Sequence, residues 1–116
     1  MSNPVVHFEI GCKDASSTIE FYRQSFNWDI KPAGIAATIQ TGADQGINGH
    51  ITALGHEPHQ YVHIYIQVEN IQLSIEQIKA NGGSLLIGPL PTPDGQQFAW
   101  FSDVAGNTLG LITKPQ

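Results

Sequence analysis

Residues 6–22, VHFEIGCKDASSTIEFY, and residues 62–78, VHIYIQVENIQLSIEQI, follow one pattern at a constant offset of 56 positions. Aligned without a gap, the two stretches match at Val6 and Val62, His7 and His63, Ile10 and Ile66, Ile19 and Ile75, and Glu20 and Glu76. The chain has 116 residues, so the repeat is about half its length. A solenoid has shorter repeats and more copies of them. This repeat therefore predicts two copies of one supersecondary unit.

The first copy begins with a strand and continues with a helix. In the strand, Val5–Gly11, the side chains of His7 and Glu9 point to the face opposite the apolar residues Phe8 and Ile10. Asp14 is a good N-cap, and apolar residues at helical spacing predict a helix over Ala15–Phe26. Three further strands are predicted at 28–30, 35–40 and 47–53, between turn-forming residues.

The second copy repeats this order. Alternation predicts a strand over Tyr61–Val68. Its apolar face carries Val62, Ile64, Ile66 and Val68, and its polar, aromatic face carries Tyr61, His63, Tyr65 and Gln67. A helix capped by Asn70 follows and ends at the glycines 82–83, and three strands are predicted at 84–87, 96–102 and Thr108–Thr113. The predicted fold class is therefore α+β: two βαβββ modules forming a curved, mostly antiparallel eight-stranded sheet with the helices on its outer face. We expect a single domain, with module one at 5–54, a linker at 55–60 and module two at 61–114.

Composition narrows the classes of partner. The formal net charge is −5 and the chain has only five Lys and Arg residues, which argues against nucleic acid and anionic membranes as partners. The sequence shows neither a signal peptide nor a run of about 18 apolar residues, so a cytoplasmic location is expected. The single cysteine, Cys12, excludes an internal disulfide and is predicted to be a small buried hydrophobe.

The concave face of such a sheet is the expected place for a small ligand. By strand parity this face carries His7, Glu9, His63, Tyr65 and Gln67. The large aromatic residues allow two interpretations, because they could form the wall of a ligand cavity or belong to the core; they are Trp28, Trp100 and Phe101. Residues 89–95 are either a loop at the cavity mouth or a rigid connection, and His56 and His59 are expected at the surface.

The sequence resembles the vicinal oxygen chelate superfamily, which contains glyoxalase I, extradiol dioxygenases and bleomycin-resistance proteins. The resemblance covers nearly the whole chain, and it is strongest to small glyoxalase-related proteins of unassigned activity. It rests on the following motifs: His7 with Asp14 and the stretch 19–22, Trp28, His63 with the stretch 68–70, Asn81-Gly82-Gly83, and FSDVAGN at 101–107.

In the metal-dependent members, this resemblance implies one ligand from the first strand of each module and a carboxylate from a closing strand. The first-strand positions correspond to His7 and His63, while the expected carboxylate position after the Gly-Asn turn is Gly110. His50, with Asn48 as a further alternative, could supply a ligand from the end of module one. A divalent Zn, Ni, Mn or Fe ion is the implied cofactor, since such sites combine histidine and carboxylate ligands.

Three functional hypotheses remain at this point. The first is a metal-assisted lyase, isomerase or dioxygenase acting on a small carbonyl or vicinal-oxygen compound, in which Glu9 is the nearest candidate base. The second is a metal-free binding protein of the bleomycin-resistance type, and the third is an interaction module with a closed cavity. The residues predicted to line the ligand site are His7, Glu9, His50, His63, Tyr65 and Trp100. The resemblance also implies a homodimer, in which the modules pair within one chain or are exchanged between two.

Overall fold

The computed structural model describes residues 2–115. Its elements follow the predicted order, βαβββ twice: β1 (Val5–Gly11), α1 (Ala15–Phe26), β2 (Asp29–Ala33), β3 (Ala36–Gln40), β4 (Asn48–Thr52), β5 (Tyr61–Val68), α2 (Ile71–Ala80), β6 (Ser84–Pro91), β7 (Gln97–Ser102) and β8 (Thr108–Thr113). The eight strands belong to one sheet in which most neighbours run antiparallel. The predicted α+β class is confirmed.

The chain divides into two compact units. The N-terminal unit is His7–His63, and the C-terminal unit consists of the chain up to Val6 and from Ile64 onward. Each unit contains one parallel strand pair, β1 with β4 and β5 with β8, while the other pairs within the units are antiparallel. Neither helix in the described part of the chain is long and apolar enough to span a membrane.

In the N-terminal unit the strand order is β2-β3-β4-β1. Helix α1 begins after Asp14, whose side chain accepts a hydrogen bond from the backbone of Ser16, and it ends at Asn27 in the left-handed conformation. Ile19 anchors the helix to the strands, in a core whose other buried members are Ile10, Cys12, Ile30, Ala37, Ile39 and Ile51. The predictions for α1 and for a buried Cys12 are confirmed.

In the C-terminal unit the order is β5-β8-β7-β6. Asn70 caps α2 by accepting a hydrogen bond from the backbone N–H of Leu73. Ile71 and Ile75 pack on a buried cluster completed by Val68, Ala99, Phe101 and Leu111. Of the two interpretations of the aromatic residues, cavity wall or core, Phe101 therefore follows the core interpretation. Trp28, in the N-terminal unit, is partly buried against the core of that unit.

Strand β6 is longer than the sequence indicates. It runs to Pro91, so the predicted loop at 89–95 begins inside a strand. Two register shifts against β7 interrupt the pairing, between Leu85 and Ile87 and between Ile87 and Leu90. Prolines are tolerated at bulges and on edge strands because the missing N–H is not needed there, which explains how Pro89 and Pro91 lie within β6.

The apolar face of β5 agrees with the prediction at Ile66 and Val68, which pack in the core of the C-terminal unit, but not at the start of the strand. Val62, predicted on the apolar face, is 71% exposed, whereas His63 and Tyr65 are 5% and 4% exposed. Polar residues are buried at such cost only when they find hydrogen-bond partners, so the burial of His63 indicates a polar network on this face.

Candidate functional site

The parallel pairing of β1 with β4 places four polar side chains together in the N-terminal unit. Glu9 lies opposite His50, and Gly11 lies opposite Thr52. Because side chains alternate along a strand, His7 and Glu9 share one face of the sheet with His50 and Thr52. The intervening residues belong to the core under α1, so this polar cluster lies on the face opposite the helix.

Glu9 is the centre of the cluster. Its side chain is 3% exposed, and its Oε1 lies 3.1 Å from Nε2 of His50 and 3.2 Å from Nε2 of His63. A carboxylate accepts hydrogen bonds, so both imidazoles present Nε2–H to the same oxygen. A buried carboxylate is stable only when its oxygens accept hydrogen bonds, and the two histidines donate two of the four hydrogen bonds that Glu9 accepts.

Two hydroxyl groups donate the other two hydrogen bonds to Glu9. Thr52 donates to Oε2 of Glu9 at 2.9 Å, and the Tyr61 hydroxyl donates to the same oxygen. The two hydroxyl oxygens are 2.8 Å apart. The Tyr61 ring lies against Gly11, where an added Cβ would stand 2.1 Å from the ring, so glycine is required at that position. Burial and the hydrogen bond to Glu9 raise the pKa of the Tyr61 hydroxyl, which keeps it protonated as a donor.

His7 extends the network toward solvent. Its Nε2 lies 2.5 Å from Nδ1 of His50, and the two rings are tilted against each other. Since His50 presents Nε2–H to Glu9, the Nδ1 of a neutral His50 is an acceptor, and His7 donates its Nε2–H to it. The three residues form a chain from the half-buried His7 through His50 to the buried Glu9.

His7 is neutral near pH 7. Burial, followed by the proximity of His50, lowers its pKa to about 4, and the opposing effect of Glu9 is smaller. A neutral imidazole can accept a proton, but one held this low is a weak base by itself. Its ability to remove a proton therefore depends on His50, to which it is hydrogen-bonded, and on Glu9.

The same shift predicts how stability depends on pH. The unfolded chain takes up a proton on His7 near pH 6.5, whereas the folded chain does so only near pH 4. The unfolded state thus binds more protons in this window, and stability is lost as the pH falls from 6.5 to 4. We expect the free energy of unfolding of His7→Gln to fall less between pH 7 and pH 4.5 than that of wild type, and that of His56→Gln to fall as much as wild type. Urea unfolding at pH 7, 6, 5 and 4.5 measures this. Equal pH dependence in wild type and His7→Gln would contradict the assignment.

Tyr65 and Trp100, the two other predicted site residues, lie in the C-terminal unit and contact each other. Trp100 donates its indole N–H to the Tyr65 hydroxyl at 2.8 Å. Tyr65 pairs with Gly110 across β5 and β8, and a Cβ added to Gly110 would stand 2.3 Å from the Tyr65 ring. The ring therefore occupies the space that a side chain at position 110 would need.

Of the six predicted site residues, four meet in the N-terminal unit: His7, Glu9, His50 and His63. Thr52 and Tyr61 were not predicted, although each lies two residues along its strand from a predicted histidine and so shares its face. His56 is exposed as expected. His59 departs from the surface prediction, because its side chain is 19% exposed and interacts with Glu57 at 3.3 Å.

A cavity of about 370 Å³ opens elsewhere, between α2 and the strands of the C-terminal unit. Its floor is formed by core residues such as Phe101 and Leu111, and its one charged lining residue among those described is Asp103. That carboxylate accepts hydrogen bonds from Ala105 and Asn107 of its own turn, which lower its pKa. The cavity thus offers no proton-transferring group comparable with the Glu9 network.

The contacts of the histidines test whether a divalent metal fits them. Both imidazoles beside Glu9 direct Nε2 at its Oε1, and His7 is hydrogen-bonded to His50 rather than aligned with it toward a common point. Within residues 2–115, no group of three or more His, Cys, Asp or Glu side chains is arranged to hold a metal ion. As placed, these residues do not fit a resident metal, and metal binding by His7, His63 and His50 stays a prediction.

The chain contains two βαβββ units, and the N-terminal unit carries a cluster of a carboxyl group and imidazoles on the sheet face opposite its helix. The chain belongs to the Glyoxalase/Bleomycin resistance protein/Dioxygenase superfamily, which it matches over residues 5–111. A glyoxylase-like domain-containing protein from Didymella fabae is 29% identical over 120 residues, covering 92% of this chain and 91% of that protein. The predicted family is confirmed.

Solved structures share the fold. A hypothetical protein from Bacillus halodurans C-125 is 19% identical, with a TM-score of 0.75 over 100% of this chain and 97% of that one. Methylmalonyl-CoA epimerase from Streptomyces coelicolor, in complex with 2-nitronate-propionyl-CoA, is 17% identical, with a TM-score of 0.72 over 98% and 99% of the two chains. At these identities the similarity establishes the architecture alone.

Proposed function

We propose that the chain of His7, His50 and Glu9 moves a proton at the carbon next to the carbonyl group of a small molecule. The reaction is thus of the isomerase or epimerase type, and it needs no metal. One observation carries the proposal: a fully hydrogen-bonded, buried carboxylate is linked through His50 to a half-buried, neutral imidazole. This is the carboxylate–histidine arrangement that orients and supports catalytic bases in general.

The steps follow from the tautomers. His7 takes the proton of the substrate C–H bond, and the electron pair of that bond moves onto the carbonyl oxygen as an enolate. His7 then passes its Nε2–H to Nδ1 of His50, 2.5 Å away. His50 becomes an imidazolium 3.1 Å from Glu9, where opposite charges attract. Return of the proton from His7 to the same face restores the carbon centre, whereas inversion takes a proton from water on the opposite face.

The chain from His7 through His50 to Glu9, called the relay below, allows His7 to act as a base despite its low pKa. Burial disfavours a charge on His7 itself, whereas the chain places the acquired charge beside the carboxylate. The positive charge of the relay also compensates the negative charge of the enolate. His63, Thr52 and Tyr61 act as positioning residues, because their hydrogen bonds fix the carboxylate on which the relay ends.

The comparisons support this class of reaction only indirectly. Several structures of similar fold are methylmalonyl-CoA epimerases, and epimerisation of a carbon next to a carbonyl is a proton transfer of this kind. The superfamily name covers enzymes as well as resistance proteins. The homodimer and the cytoplasmic location predicted from the sequence stay predictions.

The test uses pyruvamide and hydroxyacetone as substrates in D₂O at pH 7. Proton NMR measures how fast their C–H hydrogens exchange for deuterium. We expect protein-catalysed exchange that is unchanged after dialysis against EDTA. A positioned base contributes typically about 10²- to 10⁴-fold, so His7→Gln should lower the exchange rate at least about a hundredfold. His56→Gln, the same change at an exposed linker histidine, is the matched control and should leave the rate unchanged.

Two outcomes would contradict the proposal. Exchange that disappears with EDTA and returns with Zn²⁺, Ni²⁺, Mn²⁺ or Fe²⁺ would establish the metal-assisted alternative. Binding of the carbonyl compounds without exchange would instead favour the metal-free binding protein. The low pKa of His7 is the observation that supports this second function, since a weakly basic imidazole leaves the C–H bond of a bound compound intact.

A further inference from the structure

We propose that this site accepts uncharged carbonyl compounds and discriminates against carboxylates, phosphates and other anions. The inference rests on the proposed function and adds the class of substrate. It follows from where the chain places its few cationic side chains, and from the buried carboxyl group at the centre of the site.

The N-terminal unit has three Lys and Arg residues, and none belongs to the Glu9 network. Arg23 pairs with Glu20 at 3.0 Å and donates to the backbone oxygen of Ile30, on the helix side of the strands. Lys31 is 76% exposed and lies 3.8 Å from Asp29. Lys13 is exposed between β1 and α1. No guanidinium or ammonium group of this unit is therefore bonded to Glu9 or to its histidines.

The two lysines of the C-terminal unit also have other positions. Lys114 donates to Glu69 at 2.9 Å, and Lys79 is exposed in the last turn of α2. Recognition of a carboxylate or phosphate normally uses a bidentate arginine, a lysine or a helix N-terminus aimed at the anion. The described cluster supplies none of these.

The charge of the site itself opposes an anion. Glu9 is buried among four hydrogen-bond donors, an environment that suits a carboxylate. An anionic substrate would bring a second negative charge into a region of low dielectric, and its enolate would bring a third. A neutral substrate brings none until the proton moves, and the relay then carries the compensating positive charge.

This class of substrate differs from that of some structural neighbours. The epimerase structures hold coenzyme A compounds, which are polyanions. With a formal net charge of −5 and no cationic side chain in the described cluster, the site offers such a ligand no charge attraction. Shared fold and different substrate charge are compatible, since specificity resides in the site.

Pyruvamide and pyruvate test the inference, because they have nearly the same shape and differ by one negative charge. Deuterium exchange at the methyl group and saturation-transfer NMR binding are measured for both compounds at pH 7 and 20 mM salt. We expect pyruvamide to exchange at least about tenfold faster and to bind more tightly. Raising the salt concentration to 500 mM should leave most of the difference, because a buried charge is screened much less than an exposed one.

The outcomes separate the inference from the proposed function. Equal or faster exchange of pyruvate would overturn the preference for neutral compounds and leave the proton-transfer proposal intact. Binding of pyruvamide alone, without exchange of either compound, would support the substrate class and overturn the catalytic proposal. Binding of neither compound would count against both.

Discussion

Replacing Glu9 by Gln is expected to lower the free energy of unfolding by about 3 to 5 kcal/mol, because four hydrogen bonds to a charged group, worth about 1.5 to 3 kcal/mol each, become neutral ones worth about 0.5 to 1.5 kcal/mol each. The same change should reduce deuterium exchange at least about a hundredfold, since the relay would no longer end on a charge. Glu9 has this weight because two imidazoles and two hydroxyls converge on it at a site that is nearly inaccessible to solvent.

Glutamine keeps the shape of the side chain but cannot reproduce its hydrogen bonds. Its carbonyl oxygen can face either the two Nε2–H groups or the two hydroxyls. Its amide NH₂ must then face the other pair. Hydroxyls can turn to accept a hydrogen bond, whereas His50 and His63 would have to change tautomer. Even in the orientation that gives all four groups a partner, the amide forms neutral hydrogen bonds, which are roughly half as strong as those to a carboxylate.

Urea unfolding at pH 7 measures the first effect and NMR exchange the second. Glu76→Gln is the matched control, because Glu76 is exposed on α2 and the chemical change is the same. Its effect should lie within about 0.5 kcal/mol, as for most surface substitutions. A Glu9→Gln variant as stable and as active as Glu76→Gln would refute the central role of Glu9.

The architecture could be predicted because it depends on local pattern. The repeat of strand and helix, the cap at Asp14 and the alternation in β1 each concern residues close in sequence, and each agrees with the structure. Parity also placed Glu9 on the face of His7. Local periodicity therefore identified the face that carries the site.

The composition of the site depended on long-range pairing. Glu9 meets His50 and Thr52 only through the register of two parallel strands about forty residues apart, which no local pattern specifies. Tyr61 was assigned to the correct face of β5 but not to the site, because its hydroxyl reaches a carboxylate on another strand. The resemblance directed attention to metal ligands, whereas Glu9 bonds both flanking histidines directly.

Gly110→Glu, which restores the carboxylate that the family resemblance implies for the closing strand, is expected to destabilise the protein by about 3 kcal/mol or more. Overpacking of a filled interior costs typically about 1 to 3 kcal/mol, and burial of a carboxylate adds to that cost. The Tyr65 ring stands 2.3 Å from the position of the new Cβ. Tyr65 is 4% exposed and its hydroxyl is held by Trp100, so the ring cannot move aside without losing these contacts.

Gly110→Ala isolates the steric part of this effect and should cost about 1 to 3 kcal/mol in urea unfolding. Introduced into a Tyr65→Leu background, the same alanine should cost less, since residues in contact show coupling of about 0.5 to 3 kcal/mol in a double-mutant cycle. Full stability of Gly110→Ala, or strict additivity with Tyr65→Leu, would contradict the packing argument. If the coupling is found, glycine at 110 and tyrosine at 65 form one unit of structure. A carboxylate could then enter this strand only together with a smaller residue at position 65.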